Sequence, residues 1–144
     1  MKKIAKILFL FAILSVALAA CSKEKKIERA LIKKDGKWTI TSVDYKYYVN
    51  NELQASSNSP NAGTIEFNKK GSFVMTVTLS GSPQNAGGTW TNSEDNITLI
   101  ANGETTVLKI TDGPKKDKMT LVETNYDNST GEKETLTYYL KRAD

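Results

Sequence analysis

The chain has 144 residues, with 20 Lys and Arg against 16 Asp and Glu, a formal net charge of +4, one cysteine and no histidine. The missing histidine excludes histidine-ligated zinc, histidine acid–base catalysis and a Ser-His-Asp triad. A single cysteine excludes an intrachain disulfide, so an apolar core must support the fold.

The N-terminus opens on Lys2, Lys3 and Lys6 and runs apolar from Ile7 to Ala20, apart from Ser15. Crossing a bilayer takes about 20 apolar residues, and this run is shorter. A positive start, an apolar middle and small residues at the end are the pattern of an export signal. Leu18-Ala19-Ala20-Cys21 resembles a bacterial lipobox. The resemblance implies removal of residues 1–20 and lipidation of Cys21, with palmitate-type chains anchoring the protein to a membrane. More than one acyl chain is needed for stable anchoring, at about 0.8 kcal/mol per buried methylene. An ordinary secretory cut after Ala19 competes, because Ala17-Leu18-Ala19 also fits a small-x-small site. It would leave Cys21 as a lone exported thiol. Ser22, rather than an aspartate, follows the cysteine, which by the sorting rule of such lipoproteins favours the outer membrane of a bacterial cell envelope.

Loss of residues 1–20 takes away Lys2, Lys3 and Lys6 and lowers the net charge from +4 to +1. The basicity belongs mostly to the targeting segment, and no nucleic-acid partner is expected. Residues 21–35 read as a charged, lipidated tether in which Lys23, Lys25 and Lys26 stay solvated or meet anionic headgroups. Ile27, Ala30 and Leu31 fall at helical spacing, so a short helix is expected inside it.

From Gly36 to the C-terminus (residues 36–144) the apolar period changes to two. A first strand spans Lys37 to Val49, with Trp38 and Ile40 on one parity and Val43, Tyr45, Tyr47 and Val49 on the other. A bulge near Thr41-Ser42 would bring them to one face. Gln54 to Ala62 is polar, contains Pro60 and reads as the longest loop. Ile65 and Phe67 mark the second strand, and Asn68-Lys69-Lys70-Gly71 a hairpin turn. Phe73, Met75, Val77 and Leu79 alternate with polar residues in the third. Gly81 to Asn85 reads as a turn into a fourth strand around Trp90. Ile97 and Leu99 mark the fifth, and Asn102-Gly103 a tight hairpin. Leu108 and Ile110 mark the sixth, which Gly113-Pro114 breaks. Met119 and Leu121 mark the seventh. Asp127 to Gly131 turns into the last, with Leu136, Tyr138 and Leu140 on one face.

Eight consecutive antiparallel strands with one apolar face predict an all-β up-and-down barrel, fully closed or partly open. A two-sheet β-sandwich is the alternative and usually needs longer connections. Gly36-Lys37-Trp38 resembles the Gly-x-Trp that opens the first strand of lipocalins, and Gly63 to Asn68, Gly88-Thr89-Trp90 and Leu108 to Asp112 resemble small lipocalin-like domains of bacterial lipoproteins. That resemblance implies that Arg142, in Tyr138-Tyr139-Leu140-Lys141-Arg142, packs over Trp38 and closes the barrel floor. It does not extend to the Thr-Asp-Tyr type motif of lipocalins, whose place Asp112-Gly113-Pro114 takes.

No catalytic constellation emerges. Ser22-Lys23-Glu24-Lys25 matches Ser-x-x-Lys, but a tether cannot hold nucleophile and base in register. Asp127 to Glu132 offers oxygen ligands without the later bidentate glutamate of a calcium loop. Glu66, Glu123 and Asp44 lie on strands and could face outward, and nothing in the sequence brings two of them together as an acid–base pair. Neither metal nor cofactor is expected. The inward parity instead collects Phe67, Phe73, Met75, Trp90, Met119 and Tyr138, which could line a cavity or fill the barrel. Two readings follow. The first is a lipid-anchored, non-catalytic envelope protein that binds a small apolar or amphipathic molecule. The second is a solid barrel acting as a protein- or glycan-interaction module, an inhibitor or envelope-complex subunit; alternation places Tyr48 opposite Tyr45 and Tyr47, so at least one of the three is expected to face solvent and, with Gln54 to Ala62, could form a binding patch.

Overall fold

The computed structural model describes residues 23–144. The expected signal peptide, Cys21 and Ser22 lie outside the described residues. Residues 23–32 form helix α1. Ile27 and Leu31 stand four apart, so both project from one face, and both are buried, Leu31 with 0% exposure. The expected short helix is therefore packed onto the core through Ile27 and Leu31, while the charged residues Lys23 to Lys26 remain exposed. The lysines occupy the outer faces of α1 while two apolar residues at helical spacing bind it to the barrel.

A tight turn, Lys34–Gly36, leads from α1 into the first strand. Gly36 has φ +70°, and a Cβ there would collide with the Phe67 backbone carbonyl. Only glycine satisfies both demands, which explains the first residue of Gly36-Lys37-Trp38.

Eight strands follow: β1 (Lys37–Val49), β2 (Glu52–Phe67), β3 (Ser72–Leu79), β4 (Ser82–Asn92), β5 (Asn96–Ala101), β6 (Glu104–Lys115), β7 (Lys118–Asp127) and β8 (Glu132–Arg142). They pair in sequence order, antiparallel throughout, and β1 closes on β8 from Trp38↔Arg142 to Val49↔Glu132. The result is a closed up-and-down barrel, not a sandwich and not a partly open sheet. Register shifts between Ile40 and Ser42 in both β1 ladders carry the expected bulge. Skipping one residue there puts Trp38, Ile40 and Val43 into one interior.

The ladders are uneven along the axis. β1 is paired on both sides over its length, but β2 meets β3 only over Gly63–Phe67. β4 meets β5 only over Thr89–Asn92, and β6 meets β7 only from Lys109 onward. The strands thus converge at the α1 end, the floor, and splay at the end bearing the Asn50-Asn51, Ser80-Gly81 and Asn102-Gly103 turns, the mouth.

Three local expectations differ. Gln54 to Ala62 is not a loop but the first part of β2, paired with β1 through Ser42↔Pro60 and Tyr47↔Ala55. Its residues are nearly all exposed and one edge has no strand partner among the described residues, which suits polar side chains and a proline. Ser82 to Asn85 already belongs to β4, and Gly113-Pro114 lies within an irregular β6 whose register shifts twice before Lys115.

Replacing Leu31 by alanine should lower stability in urea unfolding by about 2–4 kcal/mol, as for a core leucine. A loss below about 0.5 kcal/mol would return α1 to the status of a surface tether.

Candidate ligand-binding site

The floor is built around Arg142, a buried cation with 4% exposure. Its guanidinium lies 4.2 Å from the Trp38 ring centroid. Nη1 donates to the Lys33 carbonyl at 2.8 Å, and Nη2 to the Ala30 carbonyl at 2.8 Å and the Lys116 carbonyl at 3.3 Å. The Asp117 carboxylate stands 3.5 Å from Nε. Trp38 Nε1 donates to the Leu31 carbonyl at 3.0 Å. Ring and guanidinium together satisfy carbonyls at the C-terminal end of α1, where a positive charge also suits the helix dipole.

Above this latch the interior is filled. Phe67 and Trp90 meet edge to face, with ring centroids 5.3 Å apart. Trp90 Nε1 donates to the Asn68 carbonyl at 3.0 Å. Ile40, Ile65, Ile97, Met119 and Leu121 are all nearly inaccessible beside them. Among the described residues, no buried side-chain polar atom lacks a hydrogen-bond partner.

Nearer the mouth the packing gives way to a cavity of about 320 Å³. Phe73, Met75, Ala86, Leu99, Leu136 and Tyr138 form most of its apolar wall. Gln84, Asn85, Asn102, Glu104, Thr106 and Glu123 add polar groups. An apolar pocket of this size with a few polar groups suits a small organic molecule. Tyr138 Oη donates to Glu123 Oε2 at 3.0 Å, and Asn125 Nδ2 donates to Glu123 Oε1 at 3.2 Å. Burial, reinforced by the neighbouring Glu123 charge, pushes the Tyr138 phenol far above its ordinary 10.0.

The six inward candidates therefore divide by height. Phe73, Met75 and Tyr138 line the cavity, while Phe67, Trp90 and Met119 pack in the floor half. Trp38 and Arg142 are in contact in the floor. Sequence reasoning missed Ala86 and Thr106, which parity counted from Trp90 and Leu108 would have found, and it put Leu136 on the face of Tyr138 without counting it among the candidates. It also left Glu123 free to face outward. Two residues beyond the buried Leu121, Glu123 follows the same parity and turns inward, where Tyr138 and Asn125 satisfy it. Asp44 faces away from the interior and accepts from Asn58 Nδ2 at 2.6 Å and Tyr139 Oη at 3.2 Å.

The three tyrosines of β1 do not form one patch. Tyr45 Oη donates to Glu134 Oε1 at 2.9 Å, and a hydrogen bond to Glu132 raises the Tyr47 phenol. Tyr48 lies on the other face beneath Lys133 Nζ, 4.4 Å from its ring centroid. At the last turn, Asp127 accepts from the Ser129 backbone and hydroxyl, which lowers its carboxyl below the usual range. This is a hairpin turn satisfying itself. Among the described residues, no group of His, Cys, Asp and Glu side chains is arranged to hold a metal ion.

A closed eight-stranded barrel with a packed floor and a cavity at its mouth is the architecture of small-molecule-binding barrels. Residues 35–121 match the family model described as lipocalin-like domain, and the chain belongs to that family. Among solved structures, the chain is similar to bovine odorant binding protein in complex with its natural ligand, at 16% identity and TM-score 0.44, over 76% of this chain and 70% of that one. It is also similar to the deswapped triple mutant of bovine odorant binding protein, at 16% identity and TM-score 0.41, over 75% and 72%. No curated protein matches.

The raised Tyr138 phenol sets a pH dependence. Below about pH 10 both folded and unfolded states keep the proton, and the stabilisation is fully present. As the pH rises further the unfolded chain releases its proton first, so stability falls. Tyr138→Phe should be about 1–2 kcal/mol less stable near neutral pH, having lost a hydrogen bond to a carboxylate. Urea unfolding should show that gap narrowing above about pH 10, because the variant lacks this alkaline loss. A gap constant with pH would contradict the burial of the phenol.

Proposed function

We propose that the protein is a non-catalytic, lipid-anchored binding protein of the bacterial cell envelope, attached through Cys21 to the outer membrane. It holds a small apolar or amphipathic molecule in the barrel mouth. The observation that carries this reading is the cavity of about 320 Å³ above a filled floor, in a member of the lipocalin-like domain family. Binding would come from burial of the ligand's apolar surface against Phe73, Met75 and Leu99, at about 25 cal/mol per Å² before ordering costs are subtracted. A solid interaction module would have this interior filled up to the turns.

The anchor rests on Leu18-Ala19-Ala20-Cys21. Its position fits a binding role. The chain enters the described structure at the floor, where Lys23 Nζ lies 2.9 Å from Asp95 and 3.8 Å from Glu94 in the turn between β4 and β5. A lipid on Cys21 would therefore hold the floor towards the membrane and the mouth away from it.

Ala86→Phe puts an aromatic ring into the cavity. The full chain should bind the neutral fluorophore N-phenyl-1-naphthylamine with enhanced emission, and the variant should lose at least about tenfold in affinity while unfolding as cooperatively as the parent. Equal affinity in the two would contradict the site. In bacterial cells producing the full chain, Cys21→Ala should abolish palmitate labelling and move the protein to the soluble fraction.

A further inference from the structure

The charges around the cavity are of one sign. Among the described residues, the only ionisable carboxyl or amine groups in its wall are the carboxylates of Glu104 and Glu123, with no lysine or arginine beside them. Glu123 is held by neutral donors, the Tyr138 hydroxyl and the Asn125 amide. The ion pairs of the described residues involve Lys23, Lys115 and Arg142, all at the floor end, so neither cavity carboxylate has a basic partner there. The same pattern continues outward. A recess at the rim, lined by Tyr47, Asn125, Tyr126, Asp127, Glu132 and Glu134, adds three more carboxylates and again no lysine. Its glutamates meet phenols, Tyr45 on Glu134 and Tyr47 on Glu132. Lys133 sits among them in sequence but turns to the outer face, over Tyr48.

On the reading that the cavity holds a ligand, we propose that it selects molecules with an apolar body and a cationic head, an alkyl or aryl ammonium, and rejects fatty-acid-like anions. The apolar body lies against Phe73, Met75 and Leu99. An ammonium placed beside Glu123 finds an acceptor already oriented by Tyr138 and Asn125, and the charges of Glu123 and Glu104 offset part of its desolvation. A carboxylate head in the same place meets like charge with no cation to receive it, which is how a pocket discriminates by repulsion as well as attraction. The carboxylates at the rim give the mouth a negative field that draws cations in.

A matched series tests this: decylamine, decanol and decanoate titrated calorimetrically into the full chain at neutral pH and low salt. Decylamine should bind at least about tenfold more tightly than decanol, with decanoate weakest. Added salt should weaken decylamine while leaving decanol unchanged, because only the first is held by charge. In the Glu104→Gln, Glu123→Gln double variant, decylamine and decanol should come within about threefold of each other. Glutamine keeps an acceptor for Tyr138, and the salt dependence of the parent stands as an independent readout if the variant does not fold. Decanol or decanoate binding as tightly as decylamine would overturn the charge selection and leave the cavity a binding site. An unchanged preference in the double variant would overturn the assignment to these two carboxylates. Failure of all three to bind would overturn the binding function itself, and the selection with it.

Discussion

Burying a guanidinium is costly unless every donor finds an acceptor, and in this protein Arg142 finds its acceptors in three separate pieces of chain. The carbonyls of Ala30 and Lys33 come from the end of α1, the carbonyl of Lys116 from the turn between β6 and β7, and the π-face from Trp38 on β1. Arg142 itself ends β8, directly opposite Trp38 across the seam that closes the barrel. One side chain therefore ties together helix, first strand, last strand and a distant turn. The barrel has no disulfide to do this. Lysine could not replace it, since a point charge offers neither the planar fork nor the stacking face.

The mouth follows from that floor. Because α1, Ile27 and Leu31 seal one end and the convergent ladders hold it, the strands can separate at the other without opening the core to water. β2, β4 and β6 each lose one neighbour towards the mouth, while β1 and β8 stay paired. The half-barrel built on β7, β8, β1 and β2 thus rises as a wall, and the β3–β4 and β5–β6 hairpins stand apart from it. The cavity lies between them. Its acidic lining also fits this division, since a carboxylate near the mouth can share solvent that the floor excludes.

The strand meander was legible because side-chain alternation and turn residues were strong. The change of parity at Thr41-Ser42 even announced the bulge. Trp38 and Arg142 came from resemblance to lipocalins, since nothing in period or composition joins residues so far apart. What the chain concealed was height along the barrel axis. Parity assigns Phe67, Phe73, Met75, Trp90, Met119 and Tyr138 to the interior alike, but only the lengths of the ladders decide which pack the floor and which face the cavity. Gln54 to Ala62 looked like a loop because an edge segment wet on nearly every side needs no apolar alternation. Glu123 looked like a surface residue because its charge outweighed the parity that turns it inward, a position made tolerable by Asn125 on its own strand and by Tyr138 across on β8, a contact that no local pattern encodes.

The most direct test of this asymmetric barrel is residue-resolved amide hydrogen exchange on the full chain. Amides of Trp38, Ile40, Leu140 and Arg142 should exchange only through global unfolding, with the highest protection in the molecule. Amides of residues 54–58 and 84–88, whose ladders are unpaired on one side, should exchange through local opening, faster by about 10²-fold or more. Equal protection at both ends would contradict the account, for it would mean a barrel held as firmly at the mouth as at the floor, with no latch setting the one apart from the other.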